Sequence, residues 1–79
     1  MQIKAVVSLK NGVLDPQAKA IHHALNTHGF ESLKGVRLAR EILLDLDIVD
    51  EAQALKIAKE MCEELLANLV IEEYQIERV

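Results

Sequence analysis

From Gln2 to Leu9 apolar and polar positions alternate. Ile3, Ala5, Val7 and Leu9 share one parity, and Val6 stands on the other among Gln2, Lys4 and Ser8. That period of two, rich in β-branched residues, predicts a strand covered mainly on one side. Lys10-Asn11-Gly12 is a turn signal that ends it. Asp15-Pro16 then opens a helix, since an Asp caps free amides and a Pro at the first helical position loses no needed donor. Ala18, Ile21, Leu25 and His28 follow at helical spacing, and Gly29 suits a left-handed stop, so the helix is expected to end near His28. Between Val36 and Asp47 the parity pattern returns. Val36, Leu38, Ile42, Leu44 and Leu46 share one parity, interrupted only by Arg40, and Arg37, Ala39, Glu41, Leu43, Asp45 and Asp47 stand on the other. No Gly, Pro or Asn interrupts this run, so it reads as one strand of ~40 Å at about 3.3 Å per residue. Such a strand exceeds what a small domain covers. The surplus is exposed, bent at a bulge near Ala39-Arg40, or paired with another chain, and pairing is the reading adopted.

Asp50 is placed to cap a second helix, with Gln53 positioned to reach back to it. Ala54, Leu55, Ala58, Met61, Cys62, Leu65 and Leu66 recur on one helical face, and Asn68 is a candidate left-handed stop. A last strand is expected from Val70 to Val79. The order β-α-β-α-β, without linker or repeat, predicts one α+β domain over residues 1–79. Two helices would lie on one face of a small, mainly antiparallel sheet, a two-layer relative of the ferredoxin-like plan. The long central strand would serve oligomerisation.

Size sharpens this picture. A chain of 79 residues builds one modest core, and natural chains of that length add disulfides, metals or partner subunits. Cys62 is the only cysteine, so no internal disulfide forms. Partner chains are the staple that remains, and a homodimer or tetramer is expected. Aromatics make up 3% and the net charge is −4, which argues against a nucleic-acid surface, where phosphates call for a basic footprint and bases for stacking rings. No apolar run approaches a membrane span. The N-terminal segment lacks the basic and cleavage features of a signal peptide, so a cytoplasmic protein is expected.

Candidate chemistry is sparse. His22, His23 and His28 do not share a helical face at the i, i+4 spacing that zinc favours. Cys62 falls on an apolar face, where a thiol acts as a small hydrophobe. The carboxylates are spread over helices and strands, and no Gly-rich phosphate loop or nucleophile elbow occurs. No catalytic, cofactor-binding or metal-binding residue is assigned. The residues expected to make contacts with partners or with other copies are Lys10, Asn11 and Gly12 of the turn, Asp15, Pro16 and Gln17 of the helix start, and Arg37 and Arg40, whose guanidinium forks suit carboxylate or phosphate. A regulatory α+β dimer that binds a small molecule is the alternative reading of such a chain.

Four ordered blocks carry a resemblance. Leu9-Lys10-Asn11-Gly12-Val13-Leu14-Asp15-Pro16-Gln17-Ala18-Lys19-Ala20-Ile21 resembles the opening signature of the PurS family, the small subunit of phosphoribosylformylglycinamidine synthase. His28-Gly29-Phe30 is similar to its helix-ending Leu-Gly-Phe, and Val36-Arg37-Leu38-Ala39-Arg40 to its Val-Arg-x-Gly-Lys. The run from Cys62 to Tyr74 resembles its Cys-Glu-x-Leu-Leu-Ala-Asn-Pro-Val-Ile-Glu-x-Tyr. The resemblance implies an assembly subunit without catalytic residues that bridges a large PurL-type synthetase and a PurQ-type glutaminase and supports ammonia transfer between them. It also implies that ATP, Mg and glutamine are used by the complex and that this chain itself binds no cofactor. The chain departs from the pattern at Asn11 and Leu69, each in place of Pro, at Ala39 in place of Gly, and at Arg40 in place of Lys.

Overall fold

The computed structural model describes all residues, 1–79. Three strands and two helices follow one another as β1 (Gln2–Leu9), α1 (Pro16–Thr27), β2 (Ala39–Asp45), α2 (Glu51–Met61) and β3 (Glu72–Arg78), with a π-helical turn, Cys62–Leu66, prolonging α2. The expected α+β class and element order are what the chain adopts. β1 lies between β2 and β3 and is antiparallel to both. The register is one-to-one from Gln2↔Asp45 to Ser8↔Ala39 on one side and from Ile3↔Arg78 to Leu9↔Glu72 on the other.

That register sorts the side chains. Ile3, Ala5 and Val7 are at most 1% exposed and share an inner face with Ile42, Leu44, Tyr74 and Ile76. α2 lies across this face, packing Ala54 and Ala58 on Ile3, with Leu44, Leu46 and Ile76 around them. Small residues at the helix contact let the backbone come close to the sheet. The outer face carries Lys4, Val6 and Ser8, and Lys4 is paired with Glu77 at 2.6 Å and Glu41 at 3.8 Å.

Five expectations need correction. β2 spans seven residues, not the whole of Val36–Asp47, because its pairing with β1 stops at Ser8↔Ala39 and β1, ending at Leu9, has no residue to set opposite Arg37 or Val36. The pairing contains no bulge at Ala39-Arg40, and β2 is an edge strand, with β1 in the middle. Gln53 makes no capping bond; the Asp50 carboxylate alone accepts the Ala52 amide at 3.3 Å. Asn68 is not left-handed, since only Gly12 and Gly29 have positive φ; its side chain instead accepts the Val70 amide at 3.2 Å, forming a turn that delays β3 until Glu72. Lastly, the stripe on α1 is not buried by this chain.

That last point shapes the whole molecule. α1 starts as expected, with the Asp15 carboxylate accepting the Gln17 and Ala18 amides at 3.0 and 3.2 Å, and it stops before Gly29 at φ 98°. Yet Ala18 is its only buried residue. Because β1 and β2 run in opposite directions, the chain leaves and re-enters the sheet at the same end. α1 and the returning 33–38 segment form an arm there, tied by His22 Nε2–H donating to the Leu33 carbonyl at 3.1 Å. The radius of gyration is 16.0 Å with extents of 49 × 25 × 13 Å, against about 12 Å for a compact chain of this length. Asp15→Ala removes the only side-chain cap of α1 and is expected to cost about 1 kcal/mol, read as a lower urea midpoint at fixed protein concentration with an unchanged m-value.

Candidate interaction surface

The turn after β1 is closed by the Val13 amide donating to the Lys10 carbonyl at 3.1 Å, with Gly12 at φ 87°, a position open to Gly at no steric cost. Lys10 is committed within the chain: its amide reaches the Ile71 carbonyl at 2.8 Å and its ammonium the Leu69 carbonyl at 2.7 Å. Asn11 and Gly12 are exposed at the tip. Asp15 is occupied as a cap, while Pro16 and Gln17 face solvent.

The two arginines lie on opposite faces of the sheet. Arg37 folds back over the end of β1 on the outer side, donating to Ser8 Oγ at 3.1 Å and the Leu9 carbonyl at 2.9 Å and pairing with Glu73. Arg40, opposite Val7 on the inner side, donates to the Leu66 carbonyl at 3.1 Å and to Glu72 at 3.3 Å. Glu72 also accepts the Asn68 amide at 2.7 Å. Arg40 and Glu72 thus satisfy a carbonyl and an amide that the helix end leaves without partners. The structure therefore brings Lys10, Asn11, Gly12, Asp15 and Arg37 around a cleft of about 200 Å³ at the base of the arm. Asp15, Gln17 and Arg40 line a neighbouring one of about 410 Å³ that Glu72 closes. Pro16 lines neither.

A surface that the sequence pattern did not reveal lies beyond α2. The Ala67 amide donates to the Cys62 carbonyl at 2.9 Å, five residues back, so the turn is wider than α-helical. The inward positions after Ala58 become Cys62 and Ala67, both buried. Leu65, expected on the inner face from a period of 3.6, swings out to 86% exposure. With Leu44, Met61, Glu64 and Leu66 it lines a groove of about 310 Å³. No sequence signal marks this change of pitch. Val49, Val70, Phe30 and Leu43 are also mostly exposed, an unusual share of apolar side chains outside so small a core.

Burial, and then the Glu63 carboxylate, push the Cys62 thiol above its ordinary value. Burial first, then the Glu63 carboxylate and, less, Cys62, raise Tyr74. A thiol kept protonated and enclosed is a poor nucleophile, and no three His, Cys, Asp or Glu side chains converge as a metal-binding group.

A thin helix-on-sheet layer whose cationic forks are bonded to its own backbone, and whose large apolar side chains stand outside, belongs to the class of subunits completed by other chains. Comparison with known proteins agrees. Residues 2–79 match the model of the PurS family, described as phosphoribosylformylglycinamidine (FGAM) synthase. The PurS subunit of that synthase from Bacillus subtilis is 42% identical over 76 residues, covering 96% of this chain and 89% of the relative. The crystal structure of Methanocaldococcus jannaschii PurS, one of the subunits of formylglycinamide ribonucleotide amidotransferase, superposes with a TM-score of 0.87 at 36% identity, covering 96% of this chain and 92% of that one. A chain in the structure of PurLQS from Thermotoga maritima matches at TM-score 0.86 and 31% identity, covering 100% and 99%. The chain belongs to the PurS family, subunits of FGAM synthase.

The thiol gives a direct check on this packing. Because the folded-state value of Cys62 is raised, stability is expected to be unaffected below the pKa of an unfolded thiol, about 8.5, and to fall as pH rises through and above it. Iodoacetamide is expected to label Cys62 in the native protein only at the rate of unfolding, which mass spectrometry across a urea series reads directly.

Proposed function

We propose that this chain is the assembly subunit of a multi-chain FGAM synthase, holding a PurL-type synthetase and a PurQ-type glutaminase together so that ammonia released from glutamine reaches the synthetase. It works as a homo-oligomer in the cytoplasm; no helix is long and apolar enough to cross a membrane. ATP, Mg and glutamine are bound by the larger subunits, and this chain contributes surface rather than reacting groups. The observation that carries the reading is the inversion of roles between polar and apolar side chains. Lys10, Arg37 and Arg40 are engaged within the chain, whereas Leu65, Phe30 and Val70 are presented to the outside. Such a surface suits burial against other subunits. The PurLQS structure of the Thermotoga maritima relative supports the choice of partners.

A reconstituted synthase tests this. With synthetase and glutaminase present, omission of this chain is expected to abolish the glutamine-dependent reaction and to spare the reaction fed with free ammonia. Equal activity with and without the chain, in both arms, would refute the bridging role.

A further inference from the structure

Arg40 is the only charged residue at an inward position of β2. Ile42 and Leu44, of the same parity, are apolar and half-buried, and Arg40 itself stands opposite Val7, which is 1% exposed. An inward charge on an edge strand can serve simply to repel other strands. Here the guanidinium does more, because it spans from β2 to the exit of the π turn. It donates to the Leu66 carbonyl at 3.1 Å and to one Glu72 oxygen at 3.3 Å, while the other Glu72 oxygen accepts the Asn68 amide at 2.7 Å.

The turn held in this way works against the local sequence. With the Ala67 amide bonded to the Cys62 carbonyl, Ala67 takes the inward place at 8% exposure and Leu65 is left outside at 86%. An α-helical continuation would carry the Ala67 amide to the Glu63 carbonyl instead, four residues back. It would also turn Leu65 toward the sheet, where Leu44 already shares a groove with it. Replacing an alanine by a leucine on the inner face gains apolar burial, so the wide pitch needs an opposing hold. The bonds to the Leu66 carbonyl and the Asn68 amide flank Ala67 on both sides, and a tightened turn would carry both groups out of reach. We propose that Arg40 and Glu72 form a latch that keeps the turn at π pitch with Leu65 outside, and that opening the latch returns the turn to α pitch and withdraws Leu65.

The latch joins three separate stretches of chain, β2, the start of β3 and the end of the π turn, and it is placed where it can open. The Arg40 side chain is 60% exposed and that of Glu72 19%, so a carboxylate brought by another molecule can compete for the guanidinium. The movement it releases is local. Lys10 pins the Leu69 and Ile71 carbonyls to the end of β1, which confines the change of pitch to residues 62–68 and leaves the sheet register intact. Two packings of one short segment, biased by a single ion pair, are the elements of a population switch. Its consequence for the synthase rests on the reading that this chain acts through its exposed apolar surface, because the latch sets whether Leu65 belongs to that surface. The latch itself does not depend on that reading.

The test uses the chain alone, so its failure is separable from failure of the synthase assay. Nuclear magnetic resonance couplings across hydrogen bonds identify which carbonyl the Ala67 amide reaches. Wild-type chain is expected to show the Cys62 carbonyl. Arg40→Met, similar in length but unable to donate, is expected to show the Glu63 carbonyl, with new proton contacts between Leu65 and Leu44 and an unchanged β1–β2 register. Arg40→Glu keeps a charge on the strand edge but cannot donate, and is expected to behave like Arg40→Met. Arg40→Lys, whose ammonium can serve two acceptors, is expected to retain the wild-type bond. Glu72→Met opens the latch from the other strand and is expected to give the same shift, so the test does not hang on one variant folding. Retention of the Ala67–Cys62 bond in Arg40→Met or in Glu72→Met would overturn the proposal. So would a wild-type pattern in Arg40→Glu, which would leave Arg40 as a guard of the edge, or loss of the bond in Arg40→Lys.

Discussion

Ile3, Ala5 and Val7 on the inner side of β1 are the residues around which the rest of this chain is arranged, because β1 alone is hydrogen-bonded along both edges. Their alternation sets which side chains of β2 and β3 point toward α2, through a register that is regular on both sides. α2 is laid against that row by Ala54 and Ala58, which have no bulk to hold it away. Everything farther from β1 is progressively less enclosed, and the sharp fall in burial from the middle strand to its neighbours follows from having one helix to cover three strands.

The parts written in local pattern were legible. β1 is visible in its period of two, α1 in Asp15-Pro16 and Gly29, and α2 in Asp50 and a run of small apolar residues, since caps, turns and alternation act over a few residues. What escaped depends on distant partners. The sequence from Val36 to Asp47 keeps a strand-like parity throughout, but pairing needs a neighbour, and β1 is too short to reach Val36. The widened turn after Met61 was equally hidden, because Leu65 and Leu66 sit at faultless helical spacing and only the three-dimensional course places Ala67, rather than Leu65, beneath the helix.

The candidate contact residues illustrate the same divide. Arg37 and Arg40 look alike in sequence, three positions apart, yet one secures the outer end of β1 and the other the exit from the π turn. Their forks are directed at carbonyls of the chain itself, so their effect on any partner is exerted through the shape they maintain. Ala39, between them, pairs with Ser8 in ordinary strand geometry. The departure from Gly at that position is accommodated without strain, because nothing there requires a positive φ.

The order of the strands has a consequence for how the chain acquires its shape. β1 is made early, but its second neighbour is the last strand of the sequence, and the first must wait for α1 and its return segment to close a long loop. Until then the row of amides along β1 is unpaired, and a hydrophobic strand with a bare edge is prone to pair wrongly. Closing the sheet therefore depends on contacts far apart in sequence, a topology that slows folding relative to one built of local contacts. During synthesis the sheet cannot close until β3 has cleared the ribosome, because Arg78, the partner of Ile3, follows it far along the chain.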